Sequence, residues 1–333
     1  ISVGFALRKR YPAIALALLF YFVGQSMESG WVPLELYFEH RNYLPAILLF
    51  WPIGLVLGTP GPLRFLRGLA AIAALALLGI LTAQRATLWG NAFQQAQFWA
   101  AINPNSARAQ TSAALYDLQN GRPGPAAARL QAALPTHPDD LQIPLNLITA
   151  ECRLGAVNLA TLATARTALS RDRVGGSVAF YWFGDALASH ARHACRGLDD
   201  ADLQGLLDAA WRNPHWYRIP GMRQNLYHLQ GTLDLARGQP QQALRDFDRA
   251  LEQAPNPAAA LGQAATLGST GHPCLGLDHL DYFATLPKPP ETGLSMARIH
   301  AWILQRQGYW PHEIADLRHQ LESVVPRQSC PAR

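Results

Sequence analysis

The sequence predicts an all-α chain in which transmembrane helices are followed by an α-solenoid. Three observations predict it. Nearly all the long apolar runs of the 333 residues fall in the first ~85. After Ala101, Gly and Pro recur at a spacing near 34 residues. No stretch alternates apolar and polar residues as a half-buried strand would. The expected organisation is a membrane region over residues 1–88 and an extracytoplasmic repeat domain over residues 89–333.

The membrane elements come first. Residues 11–24, 43–58 and 69–83 are apolar, each a little short of the ~20 residues that a straight span needs. Flanking aromatics and bilayer adjustment make up that length, so three spans are expected. Three buried core helices within so short a stretch would need a large soluble partner. The chain starts at Ile1, and Arg8-Lys9-Arg10 runs directly into the first apolar segment. This pattern suggests the later spans of a longer membrane protein. A signal peptide is disfavoured, because no small-x-small cleavage site follows.

Basic residues set the orientation, since short loops rich in Lys and Arg stay cytoplasmic. Arg8, Lys9 and Arg10 precede the first span, and Arg64 and Arg67 lie between the second and third. The loop around Glu39 and everything after Arg85 should then face outward, the repeats on the periplasmic side of a bacterial inner membrane. The net charge of +5 is partly this topology signal, and no basic-aromatic interleaving of a nucleic-acid kind occurs, so no nucleic-acid partner is expected.

The repeats follow. Pro104 and Pro138 are 34 apart, as are Gly121 and Gly155, while Gly238 and Gly271 are 33 apart. In residues 224–255, Gly231, Gly238, Ala243, Phe247, Ala250 and Pro255 occupy a small, turn, small, large, small and breaker pattern. Small residues let two helices approach, Phe247 fills the gap to the next, and Pro255 ends the second helix. Residues 107–138 repeat the pattern with Ala114, Gly121, Ala126, Leu130, Ala133 and Pro138; residues 141–172 keep Gly155 and Ala160 without the proline. This is the pattern of tetratricopeptide repeats, two helices per unit. Between residues 173 and 220 the period blurs around Trp182, Trp211 and Trp216, where helical hairpins off the consensus are expected. A degenerate unit over 256–287, a helix over 294–307 and another around 312–325 should close an array in which each repeat buries its apolar face against its neighbours.

Candidate chemistry is sparse. Cys152, Cys195, Cys274 and Cys330 all lie in the repeat part, where an oxidising compartment would permit three pairings or leave four buried thiols. Their spacing fits no zinc knuckle, and no metal or cofactor is expected. His190 and His193 near Cys195 read as a solvated helix face rather than a metal cluster, and Asp199, Asp200 and Asp202 as a helix cap. No Gly-rich phosphate loop, Ser-His-Asp arrangement or His-Glu-x-x-His stretch occurs. The densest polar cluster is Glu39-His40-Arg41-Asn42-Tyr43-Leu44-Pro45, preceded by Glu28 and Glu35. As an interfacial turn, its aromatics would join the membrane belt and Arg41 would pair with Glu35 or Glu39. Yet Glu28, Glu35, Glu39, His40 and Arg41 crowd beside hydrocarbon, more than anchoring requires. A guanidinium and an imidazole at headgroup level suit a lipid-linked phosphate, because Arg grips phosphate oxygens bidentately.

A Glu-His-Arg-Asn-Tyr-Leu-Pro loop, further spans, Trp89 in the lead-in and then tetratricopeptide repeats together resemble the C-terminal part of multi-span proteins that join a GT-C type glycosyltransferase to such repeats. The eukaryotic transmembrane and tetratricopeptide-repeat O-mannosyltransferases look similar. The resemblance implies a polyprenyl-phosphate-linked sugar donor, a protein acceptor recruited by the repeats, and lipid-phosphate contact by Glu39, His40, Arg41 and Tyr43, with Glu28 and Glu35 nearby. It also implies that the catalytic base, an acidic residue, sits in an early outer loop that this chain lacks, so the catalytic residue is unknown. Two other readings stand beside it: a non-enzymatic membrane-anchored scaffold for envelope or pilus assembly, and a lipid-linked polysaccharide polymerase or ligase.

Overall fold

The computed structural model describes residues 2–25, 42–173, 176–191, 195, 197–287 and 296–331. These residues contain helices and turns and no strand. The chain divides into two compact units, Ile1–Asn91 and Ala92–Arg333.

In the first unit, α1 (Ser2–Leu7) and α2 (Pro12–Gly24) are followed by α3 (Tyr43–Ala46), α4 (Trp51–Gly58) and α5 (Arg64–Trp89). Among the described residues one helix, α5, is long and apolar enough to cross a membrane. Its 26 residues rise ~39 Å, and it buries no residue within the protein, unlike a core helix of a soluble domain. Of the three expected spans, this is the one that reaches spanning length among the described residues. The 13 residues of α2 reach only ~20 Å against a hydrocarbon core of ~30 Å. The second expected span is two helices. Pro52, within the first turn of α4, has no N–H to give to Leu48. The chain instead turns through bonds such as Leu49 N to Ala46 O at 3.0 Å and Trp51 N to Leu48 O at 3.2 Å. The third segment, in contrast, runs five residues earlier and six later than residues 69–83.

The second unit is a stack of helices: α6 (Ala92–Ile102), α7 (Ala107–Gln119), α8 (Pro123–Ala133), α9 (Gln142–Leu154), α10 (Leu159–Arg171), α11 (Gly176–Ala191), α12 (Asp200–Trp211), α13 (Pro214–Tyr217), α14 (Pro220–Ala236), α15 (Pro240–Gln253), α16 (Pro257–Ser269), α17 (Pro273–Thr285), α18 (Met296–Arg306) and α19 (Tyr309–Val324). Proline opens α8, α13, α14, α15, α16 and α17, where its missing N–H costs nothing and its φ is already helical. Hairpins α7–α8, α14–α15 and α16–α17 share one inner turn. Gly121, Gly238 and Gly271 sit at φ +69°, +70° and +88°, a left-handed conformation that penalises a Cβ. Around them the helix end closes identically: Arg122, Gln239 and His272 donate their N–H to Asp117, Asp234 and Leu267 at 2.9, 2.8 and 2.9 Å, the six-to-one bond of a Schellman motif.

The expected repeat positions are core. Ala114, Ala126, Leu130, Ala243, Phe247 and Ala250 are all fully buried. A Cβ placed on Gly231 would lie 2.7 Å from the Phe247 ring, so glycine there sets the helix separation. Ala160 is a correction: it is exposed near the start of α10. The turn after Gly155 is longer, because Glu151 accepts from Asn158 N at 3.0 Å and Thr161 Oγ1 at 2.9 Å, and Asn158 Oδ1 caps Ala160 N at 2.9 Å. Leu162, Ala165 and Leu169 form the buried face instead. Off the consensus, α12 starts with a capping box in which Asp199 accepts from Asp202 N at 2.8 Å and Asp202 answers Asp199 N at 3.5 Å. The cysteines pair as Cys152–Cys195 and Cys274–Cys330, tying α9 to the segment before α12, and α17 to the chain after α19.

Candidate partner-binding surface

Where the first helices of successive hairpins lie side by side, α7, α9 and α11 form a hollow of about 850 Å³. Leu118, Leu145 and Ile148 make its floor, each also part of the buried core. Leu115 and Tyr181 rise from it, 40% and 72% exposed. Gln119, Asn146, Arg153 and Asp185 supply a polar rim. The walls are held from within: Trp182 Nε1 donates to Thr149 Oγ1 at 3.0 Å, joining α11 to α9, and Arg153 Nη1 donates to Leu118 O at 2.7 Å, joining α9 to α7. An apolar floor with a hydrogen-bonding rim on fixed helices suits a side chain or short segment of another protein.

Most of the loop that the sequence singled out lies outside the described residues, namely Glu28, Glu35, Glu39, His40 and Arg41. Tyr43 is described: it opens α3 and is 72% exposed. Next to it, Asn42 accepts a hydrogen bond from Gln25. His193 and the side chain of His190 also lie outside the described residues, while Cys195 is bonded to Cys152. Among the described residues no three His, Cys, Asp or Glu side chains are grouped to hold a metal ion.

Deeper in the array is a chain of polar side chains that the sequence reading did not notice. His279 Nδ1 meets Asp248 Oδ1 at 2.8 Å, His279 Nε2 meets Gln263 Oε1 at 2.9 Å, and Gln263 Nε2 meets His228 Nδ1 at 3.3 Å. His279, Gln263 and Asp248 are buried, and the His228 ring lies between Phe180 and Phe247 at 5.6 and 5.5 Å. Burial, with a smaller contribution from neighbouring His279, lowers the His228 pKa to about 4. With His279 fully enclosed, this network braces α14 to α17 and offers no reacting group to a substrate. Only the structural pairing of helices reveals it, since its four members lie on four helices.

No family model matches the chain, and no curated protein matches it. Among solved structures, one titled "Functional Characterization of Pseudomonas Aeruginosa pilF" aligns at 18% identity over 66% of this chain and 91% of that chain, with a TM-score of 0.32. At that score the likeness carries no argument, and the solenoid assignment rests on the hairpins themselves.

Proposed function

We propose that the second unit is a docking scaffold for another protein, anchored to a membrane through α5. The hollow across α7, α9 and α11 carries this reading: it presents exposed Leu115 and Tyr181 above a buried apolar floor, and aromatic anchors set in formed pockets dominate protein recognition. The distribution of Lys and Arg supports an outward-facing repeat domain on a bacterial inner membrane. Two cysteine pairs agree with an oxidising compartment. A photo-crosslinking residue in place of Tyr181 should capture a discrete partner in membranes, and Leu115→Glu should abolish that product while the fold survives. Capture unaffected by Leu115→Glu, or none above background, would remove the hollow from consideration.

A finer reading rests on Glu39, His40 and Arg41, together with Glu28, Glu35 and Tyr43. In it the scaffold recruits a protein acceptor for a polyprenyl-phosphate-dependent glycosyltransferase, and the loop holds the lipid phosphate. The crowding of charge beside apolar segments in the sequence supports it. Its test is donor use by Arg41→Ala in membranes, expected to fall about tenfold from loss of a charge-assisted contact, with Arg41→Lys restoring it only in part. Unchanged donor use would leave the loop an interfacial turn.

A further inference from the structure

Helix α15 shows how the solenoid treats an apolar stripe: Ala243, Leu244, Phe247, Ala250 and Leu251 recur at helical spacing and are all buried. Helix α18 has a stripe of the same kind and leaves it open. Met296, Ile299, Trp302 and Ile303 recur at steps of three and four residues, yet they are 78%, 50%, 52% and 39% exposed. With 3.6 residues per turn they fill an arc of about 120° on one side of the helix. Half-buried Leu304 stands about 140° round from the centre of that arc. The helix packs on α19, and the arc stays uncovered.

The charges around the arc have one sign. Residues 292–312 contain no Asp or Glu, while α18 carries Arg298 and Arg306. Arg298 falls about 40° beyond the Trp302 edge of the arc, and His300 about 40° beyond the Met296 edge. Arg306 lies within the arc, one turn after Trp302, and its guanidinium stands over the Trp302 ring, 5.3 Å from the centroid. All three basic side chains are exposed.

An open apolar arc holding a Trp, with basic residues at both edges and no acid, is the pattern of a helix that lies in a membrane interface. Trp settles at headgroup level, and an Arg stem can follow the acyl boundary while its head reaches phosphate. An anionic bilayer therefore answers the apolar and the charged half of the face together. A second copy of this chain answers it poorly, because a two-fold contact sets each patch against itself and brings Arg306 toward its own counterpart.

We propose that α18 is a second membrane attachment, lying in the headgroup layer of an anionic bilayer with Met296, Ile299, Trp302 and Ile303 inserted and Arg298 and Arg306 against lipid phosphate. The proposal rests on the anchorage through α5 in the scaffold reading and is independent of the hollow around Tyr181. Attachment at α18 would hold the second unit against the bilayer surface.

The test uses the full chain reconstituted in vesicles of phosphatidylcholine, alone or mixed in equal parts with phosphatidylglycerol. The native cysteines are all paired, so Ile299→Cys gives one thiol for a polarity-sensitive fluorophore, and Gln305→Cys gives a control on the exposed polar side of the same helix. In the mixed vesicles the label at position 299 should emit to the blue and be quenched by brominated acyl chains, while the label at position 305 stays wet. Arg306→Gln should lower the docked-to-free ratio about fivefold, as expected for one basic residue at an anionic surface, with an unchanged melt. A label at position 299 that stays wet in both kinds of vesicle, while the chain still floats with them, would overturn the proposal and leave the α5 anchor standing. Equal embedding in phosphatidylcholine alone would overturn the choice of an anionic surface. A blue-shifted label that brominated lipid does not quench would mark a protein occupant and overturn the bilayer. A chain that does not float with the vesicles would remove the anchor reading together with this one.

Discussion

Gly231→Ala tests the repeat register most directly, because two opposing effects can be sized from the structure. Replacing a mid-helix glycine by alanine favours the helix by about 1 kcal/mol. Against this, the new Cβ would lie 2.7 Å from both Cδ1 and Cε1 of Phe247 and 3.0 Å from the backbone oxygen of Ala243. Neither neighbour can yield. Ala243 O is main chain, and the buried Phe247 ring has His228 and His279 at 5.5 and 6.1 Å. Overpacking of that kind costs about 1–3 kcal/mol, here toward the upper end, so a net loss of about 2 kcal/mol is expected. For a unit this size that lowers the melting temperature by about 4–8 °C. Gly262→Ala is the matched control: it lies within α16, and its Cβ would meet nothing within 4 Å. That substitution should raise stability by up to about 1 kcal/mol. Circular dichroism melts of residues 92–333, expressed alone, give both values and show whether this unit folds independently. A Gly231→Ala variant that melts at or above the parent would refute the crossing geometry, and Gly231→Leu should be worse still.

Other expectations follow from the same packing. Asp234→Asn should stabilise the protein at neutral pH. Burial first, then contact with Asp246, raises the Asp234 carboxyl pKa, so the folded state binds the proton more tightly and the native carboxylate costs stability as pH climbs above the ordinary value of 3.8; the advantage of the variant should vanish in acid, read by melts across pH. His228 has the opposite titration. With its pKa lowered from 6.5 to about 4, the unfolded chain takes up the proton first, so stability should fall as pH drops through that window, by on the order of 2–3 kcal/mol. His228→Asn, whose Oδ1 can accept from Gln263, should flatten that slope; an unchanged slope would assign it elsewhere. Replacing Cys274 and Cys330 by Ser opens a cross-link spanning 56 positions and should cost about 2–4 kcal/mol, with hydrogen exchange rising first in α19. Maleimide labelling of single cysteines at Gly30 and Asn105 in intact cells should mark both as outward-facing; protection of Asn105→Cys until lysis would reverse the topology.

What the sequence disclosed and what it hid follow from the range of each interaction. Gly121, Gly238 and Gly271 and the Asp199 cap act within a few residues, so spacing alone located these hairpins and their turns, whereas the prolines that open the helices were read only as breakers. The break between α3 and α4 was equally local, since Pro52 stood in plain view, but hydropathy counts residues without asking whether each can donate a hydrogen bond. Ala160 failed for a different reason: Glu151 captures Asn158 N and Thr161 Oγ1, and that side-chain contact lengthens a turn that the glycine spacing had set. The acid pair of α14 and α15 shows the intermediate case. Asp234 and Asp246 are twelve residues apart, too far for any local rule, yet the same spacing holds Asp117 and Arg129 in the earlier hairpin. Once the glycines align the two hairpins, a favourable opposition in one becomes a repulsive one in the other. These two hairpins share a backbone frame but not the charges hung upon it, so an acid standing where the earlier hairpin has a base is a deviation that the frame does not require. Its folding cost can be measured with Asp234→Asn by melts across pH, where a variant no more stable than the parent at neutral pH would show that the frame absorbs the acid without penalty.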